Sequence, residues 1–372
     1  MDNQVFKNIS KIIERDAKSA TYKFALLRGV IDIIQDNSPY IKLSDNVVEI
    51  PLGLLVDKWL FYYYPIFESE VVIPQIKGNN VKLAFHSHFI PILSHYKGKG
   101  GGLSVFYNEL RIKHISDEIN PEFFNLVKKL KETITKMPMK YIGGSISERY
   151  YSIFKYTSGQ TLKNTAKQNT QWLVDSCGTF SIPIEYYEAF KLLGSFISGT
   201  DNVLFKWAEF SEKASGRVLS TGAIVNEILK FPVTERDVEA SKKLYIEILA
   251  KNGSVSCVWS GSNLAKYDID HMLPFSIYKN NDLWNLLPSS PPTNKSKLDK
   301  IPSLNLITKQ KELIIHYWEV IHQYQTERFM NELQISLLGN YTKNNWQQSA
   351  FSQLLQTSKY LIETRGYPEW QY

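Results

Sequence analysis

The sequence predicts an α+β protein that is mostly helical, on three observations. Apolar residues recur at three- and four-residue intervals through much of the chain. Stretches of strand character are few and short. One segment, from Cys257 to Pro302, changes from paired apolar runs to a polar loop and then to a short helix. A length of 372 residues favours two domains. We expect a helix-rich recognition or regulatory region over 1–230 and a second domain with flanking helices over 231–372.

Composition bounds the class. An apolar share of 43% and a charged share of 22% are those of a folded, soluble chain. No apolar run approaches 18 residues, so no membrane partner is expected, and the polar start MDNQVFKNISKIIERD does not read as a signal peptide. The expected location is the cytoplasm. Cys177 and Cys257 form neither a disulfide nor a zinc pattern, and no structural zinc is expected.

Taken in order, Asn8 to Asp16, Ala20 to Asp36 and Leu52 to Tyr64 read as helices. Asn37-Ser38-Pro39 and Pro65 act as stops, and Val47 to Ile50 as a short strand. Trp59 with Tyr62, Tyr63 and Tyr64 reads as packing rather than a base-stacking platform. His86 and His88 alternate as on a strand face, in a surface or core role. The run Lys97 to Gly102 reads as a mobile loop, with a phosphate cradle as the alternative; it is no P-loop, lacking Gly-Lys-Ser/Thr.

Pro121 to Lys136 is a basic amphipathic helix with Phe124, Leu126, Val127, Leu130 and Ile134 on its apolar side. Tyr141 to Tyr156 reads as strand, mixing Arg149 and Lys155 with Tyr150, Tyr151, Phe154 and Tyr156. From Lys77 to Lys163 there are fourteen Lys and Arg against six Asp and Glu, a surplus of eight; from Pro232 onward the surplus is one. Lys128, Lys129, Lys131, Arg149 and Lys155 are therefore candidate nucleic-acid contacts, although a half-buried strand with a solvated edge fits the second segment equally. Ile182 to Phe210 reads as helix interrupted by a turn at Gly199 to Asn202. Thr234 caps a further helix that ends at Gly253, and Leu306 to Leu338 and Trp346 to Thr364 read as long helices.

The chemistry concentrates in YDIDHMLPFSIYKNNDLWNLLPSSPPTNKSKLDKIP, Tyr267 to Pro302. Cys257 to Leu264 reads as a hairpin around Ser260-Gly261-Ser262-Asn263. Asp270 and His271 are adjacent, so both reach one site only where a strand ends, and Pro274 marks that end. A neutral imidazole suits a general base near pH 7, a role that His271 could supply. Asp270 and Asn294 are hard oxygen donors of the kind Mg²⁺ takes, with Mn²⁺ able to substitute. Lys297, three residues after Asn294, shares its helical face and can reach a phosphate. The bland alternatives are a helix cap for Asn285 and an ordinary solvated face for Lys295 and Lys297.

Hairpin, loop and helix form a ββα-metal arrangement, and over about residues 253–303 the stretch resembles HNH endonucleases. The likeness is greatest to the HNH domain of RNA-guided CRISPR effector nucleases. The intervals His271 to Asn285 to Asn294, the preceding Asp270, and Lys297, Asp299 and Pro302 carry it. The resemblance implies His271 as base, Asp270 and Asn294 as Mg²⁺ ligands, Asn285 as brace of the histidine loop, and Lys297 at a phosphate; Lys295 beside it is a further candidate nucleic-acid contact. It implies hydrolysis of DNA, RNA remaining open, in a restriction or anti-phage setting. A gated effector awaiting a protein partner or modified DNA is one alternative, and a DNA-binding module that does not cut is another. A homodimer would let a single-site domain cut both strands.

Overall fold

The computed structural model describes all residues other than 1–2, 15, 17, 79–81, 143–151, 196, 229–236 and 341–343. The chain is mostly helical with few, short strands, and it divides into two compact units, Met1–Pro232 and Val233–Tyr372. Among the described residues no helix is long and apolar enough to cross a membrane.

The first unit is built on α1 (Asn3–Glu14), α2 (Tyr22–Gln35) and α3 (Leu52–Glu68). Alongside α3 lies a four-stranded antiparallel sheet of order β1 (Lys42–Leu43), β2 (Val47–Pro51), β4 (Thr179–Pro183) and β3 (Lys155–Thr157). Trp59, Tyr62, Tyr63 and Tyr64 are all buried in α3; Trp59 meets Tyr63 edge-on at 5.5 Å and Tyr63 meets Phe85 at 4.9 Å. Pro65 does not stop α3. The helix runs three residues further, and Ser69 N donates to the Pro65 carbonyl at 3.0 Å.

Histidines 86 and 88 lie in a helix, not a strand: α4 spans His86–Gly98. One i, i+2 pair is too short an alternation to outweigh the helical spacing of the buried Phe89, Ile92 and Tyr96 that follow. The glycine run after it is only a brief turn, Lys99 to Gly101, before α5 (Gly102–Ile112). There Lys99 is tied to Glu109 at 2.8 Å, and Gly100, with φ +77°, supplies the left-handed residue that the turn needs.

Helix α6 (Asn120–Lys136) buries Phe123, Leu126, Val127, Leu130 and Ile134. The inward aromatic is Phe123, since it stands three and four residues before Leu126 and Val127; Phe124 is half-buried. Tyr141 ends a helical turn, α7 (Pro138–Tyr141), and among the described residues of this segment strand is formed by Lys155–Thr157. The expected strand over Tyr150 and Tyr151 lies outside the described residues, as does Arg149. After α8 (Thr170–Ser176), Ile182 belongs to β4, and α9 (Ile184–Ser195) and α10 (Ile197–Ala214) follow, then α11 (Thr221–Ile228). Helix α10 runs straight through Gly199 to Asn202, where a turn was expected; tertiary packing against α2 and α11 outweighs one helical glycine.

The second unit opens with α12 (Glu239–Asn252), closed by Gly253 at φ +73°; Thr234, expected as its cap, lies outside the described residues. β5 (Asp268–His271), a helical turn α13 (Phe275–Tyr278), β6 (Leu286–Ser289) and α14 (Pro291–Lys297) follow. β7 (Ile301–Pro302) pairs in parallel with β8 (Glu369–Trp370), which seats the buried Trp370 edge-on against Trp259 at 5.7 Å. Of the two long C-terminal helices, the first is segmented and the second is continuous. The first becomes α15 (Leu304–Lys309), α16 (Lys311–Tyr324), α17 (Thr326–Leu333) and a π-helical turn at Gln334–Leu338; the second is α18 (Trp346–Lys359) with a π turn at Tyr360–Thr364. Their apolar faces join Trp259, Trp284 and Trp318 in one core around β5 and β6.

Candidate active site

Antiparallel pairing sets His271 opposite Leu286, Asp270 opposite Leu287 and Asp268 opposite Ser289. The ladder ends at His271, where Met272-Leu273-Pro274 turns away. The strand end thus falls beside the Asp-His pair. The preceding Cys257 to Leu264 segment is a tight loop closed by a single bridge, Ser256 to Asn263, rather than a hairpin of two regular strands. Val258 N donates to the Pro288 carbonyl at 2.8 Å, which lays the loop along β6. Helix α14 starts on Ser290, whose hydroxyl accepts from Thr293 N at 3.3 Å, and Pro291 and Pro292 fill its first turn.

Asp270 is 3% exposed and both of its carboxylate oxygens are engaged. Trp259 Nε1 donates to Oδ2 at 3.0 Å, and Lys297 Nζ donates to Oδ1 at 3.2 Å. Lys297 also donates to the His271 carbonyl at 2.6 Å. Expected at a phosphate or on a solvated face, Lys297 is instead fully buried. The face it shares with Asn294 is the one that α14 turns toward β5. Leu298 follows at φ +52°, ψ −125°, a conformation costly for a branched residue, and it leads the chain away from the buried ammonium. Lys295, the neighbour on the opposite side, is exposed.

His271 is 2% exposed. Its Nε2 lies 3.0 Å from Asn281 Oδ1. A carbonyl oxygen only accepts, so this bond puts the proton of the neutral ring on Nε2 and the lone pair on Nδ1. Asn294 Nδ2 donates to Asp268 Oδ2 at 3.2 Å, which turns the amide so that its oxygen is the end not held by Asp268. Asn285 is fully buried behind the histidine. Its Oδ1 accepts from Leu273 N at 2.8 Å, its Nδ2 donates to the Leu273 carbonyl at 2.9 Å, and its own carbonyl accepts from Met272 N at 2.8 Å. It touches the backbone just past His271 rather than the space in front of it.

Asp268, Asp270 and Asn294 together offer hard oxygen donors of both charge types, which fits Mg²⁺ or Mn²⁺. Among the described residues no three His, Cys, Asp or Glu side chains are grouped to hold a metal, so any such set draws on the asparagine. Three contributors escape a linear reading: Asp268, Trp259 and Asn281. Only Asp268 carries a signal, its two-residue offset from Asp270 placing it on the same strand face. Lys128, Lys129, Lys131 and Lys155 belong to the first unit, on α6 and β3. Lys128 and Lys155 are exposed and Lys131 half-buried, while Lys129 pairs with Glu132 at 3.2 Å.

The profile of a family described as HNH endonuclease matches residues 260–303, and this segment is an HNH domain. Residues 2–228 match a family described as a domain of unknown function, DUF8808, and the chain belongs to that family. A curated relative is the CRISPR-associated endonuclease Cas9 of Listeria innocua serovar 6a. It is 29% identical over 139 residues, which make up 36% of this chain and 10% of that protein. The chain therefore spans about a tenth of that relative's length. No solved structure matches. These likenesses support a nuclease-type function.

Proposed function

We propose that this chain is a metal-dependent endonuclease that hydrolyses DNA phosphodiester bonds, using the ββα-metal site of its second unit. The observation that carries the reading is the succession of Asp268, Asp270 and His271 along β5, with Asn294 hydrogen-bonded to Asp268, inside the segment that matches the HNH family. Asp270 and Asn294, with Asp268 beside them, would hold Mg²⁺. The ion, when bound, neutralises charge on the phosphate and on the departing oxygen.

The protein's own groups do the rest. His271 Nδ1 takes a proton from a water molecule as the water oxygen bonds to phosphorus; the bond to the 3′ oxygen breaks, and that oxygen leaves with the electron pair and takes a proton from solvent. The products are a 5′-phosphate and a 3′-hydroxyl. Asn281 holds Nε2 and so keeps the lone pair on Nδ1, Asn285 sets the backbone behind the ring, and Lys297 balances the charge of Asp270. Lys128, Lys131 and Lys155, with Lys129, Lys295 and Arg149, would meet the nucleic acid. A restriction or anti-phage role suits such an enzyme.

A gated form of the same enzyme is favoured by one observation: both oxygens of Asp270 are already engaged, one of them by a buried lysine. Purified protein is to be incubated with plasmid in Mg²⁺, in Mn²⁺ and in EDTA, with His271→Ala in parallel. Metal-dependent nicking or linearisation that His271→Ala abolishes is the expected outcome. Intact DNA beside undiminished binding selects the gated form, loss of binding in His271→Ala selects a binding module, and neither cleavage nor binding overturns the proposal.

A further inference from the structure

The loop that holds His271 is itself held from outside the HNH segment. Glu332, on α17, is fully buried; its Oε2 accepts from Leu283 N at 2.6 Å and its Oε1 from Arg328 Nε at 2.7 Å. One residue before Leu283, the buried Asp282 accepts three hydrogen bonds on Oδ2: from Asn280 Nδ2 at 3.1 Å, Trp284 Nε1 at 3.0 Å and Ser336 Oγ at 2.9 Å. Asn280 Oδ1 in turn accepts from Asn285 Nδ2 at 3.3 Å. Between these braced positions stands Asn281, the partner of His271 Nε2.

Two carboxylates buried as neighbours are a costly way to anchor a loop, because each must be desolvated and they repel. An apolar contact would close the loop at less expense, but it would not fix the Leu283 backbone that follows Asn281, whose Oδ1 also accepts from Asp237 N at 3.1 Å. A second feature points the same way. The π-helical turn Gln334–Leu338 carries Ser336 to Asp282, and such turns are rare and concentrate at functional sites.

We propose that Glu332, together with Arg328 and Ser336, is a positioning residue for His271, acting through the Leu283 backbone and Asn281 to fix the orientation and tautomer of the imidazole. The assignment rests on His271 being the base. It extends the working site to residues some sixty positions beyond it, outside the matched HNH segment.

The test is the ring ¹⁵N signals of histidine in the full chain, with the His271 pair assigned by its loss in His271→Ala. Wild type should show one tautomer, protonated on Nε2. Glu332→Gln keeps the size but breaks the ion pair, and should shift both nitrogens toward values averaged over two tautomers, in the direction expected for Asn281→Ala. In the plasmid assay Glu332→Gln and Asn281→Ala should each lower kcat on the order of 10- to 100-fold with KM unchanged, and the double variant should be no slower than Asn281→Ala alone. Ring signals identical to wild type in Glu332→Gln, or losses that multiply in the double variant, overturn the proposal. If the chain cuts no DNA, the ring signals still decide the positioning role while the nuclease reading falls. Should Glu332→Gln fail to fold, Ser336→Ala, which removes only a hydroxyl, is read by the same signals.

Discussion

Replacing Lys297 with methionine isolates the energetic centre of the site. The two side chains of the Asp270–Lys297 pair are 4% and 1% exposed, with nitrogen and oxygen 3.2 Å apart. At that distance two unit charges attract by about 5 kcal/mol if the effective dielectric constant is about 20. Methionine fills nearly the same space but leaves Asp270 without its counter-charge and the His271 carbonyl without its donor. Removing one partner of a buried pair typically costs about 3 to 5 kcal/mol, and we expect a loss in that range for the second unit. With a urea slope of about 2 kcal/mol per M, the midpoint should fall by roughly 2 M. Tryptophan fluorescence reads this unit well, since five of the eight tryptophans, Trp259, Trp284, Trp318, Trp346 and Trp370, lie within Val233–Tyr372. Lys295→Met, on the exposed neighbour, should shift stability by no more than about 0.5 kcal/mol. Added Mg²⁺ should restore more stability to Lys297→Met than to wild type, because the ion meets an uncompensated carboxylate. A loss below about 1 kcal/mol would refute the view that this pair is desolvated and that Lys297 is the counter-ion of Asp270.

The remaining predictions concern both units. Burial and the neighbouring Asp282 raise the Glu332 carboxyl from its ordinary 4.5 to about 7, so the folded chain holds this proton more tightly than the unfolded one. Its stabilisation is complete below about 4.5 and is lost as the pH rises through about 7; Glu332→Gln should flatten that part of the urea-midpoint profile, and a profile parallel to wild type would contradict the assignment. In the first unit, a Cβ on Gly53 would stand 2.1 Å from the Leu173 carbonyl oxygen; Gly53→Ala should cost about 3 kcal/mol or more by urea denaturation. Gly29→Ala meets only the tip of Leu55 at 2.3 Å and should cost clearly less. If α6 meets the phosphate backbone, changing Lys128 and Lys131 together to Gln should lower the log-log salt slope of DNA binding by about 2, and an unchanged slope sinks that contact surface.

Much of the helical framework was legible because a helix that buries one face must repeat apolar residues every three or four positions, as α2, α3 and α6 do. The Asp-His pair at a strand end was legible too, since Pro274 cannot continue a ladder. Elements went astray where local signals are weak. The alternating His86 and His88 sit in a helix, Pro65 and Gly199 are carried inside helices, and breaks at Gln310 and Gln325 divide the first of the long C-terminal helices.

Within the site, the sequence by itself determined which chemical groups are present and that His271, Asn285, Asn294 and Lys297 fall at HNH intervals. Only the tertiary structure decided what each group faces. Periodicity says that Asn294 and Lys297 share a side of α14, but the packing of that helix on β5 turns the lysine inward onto Asp270 and the His271 carbonyl. Trp259, Asn281 and Glu332 join the site from segments 11 residues before Asp270, 10 after His271 and 61 after His271. Their contacts form through space, between residues with no common period along the chain, and so no spacing in the sequence could announce them.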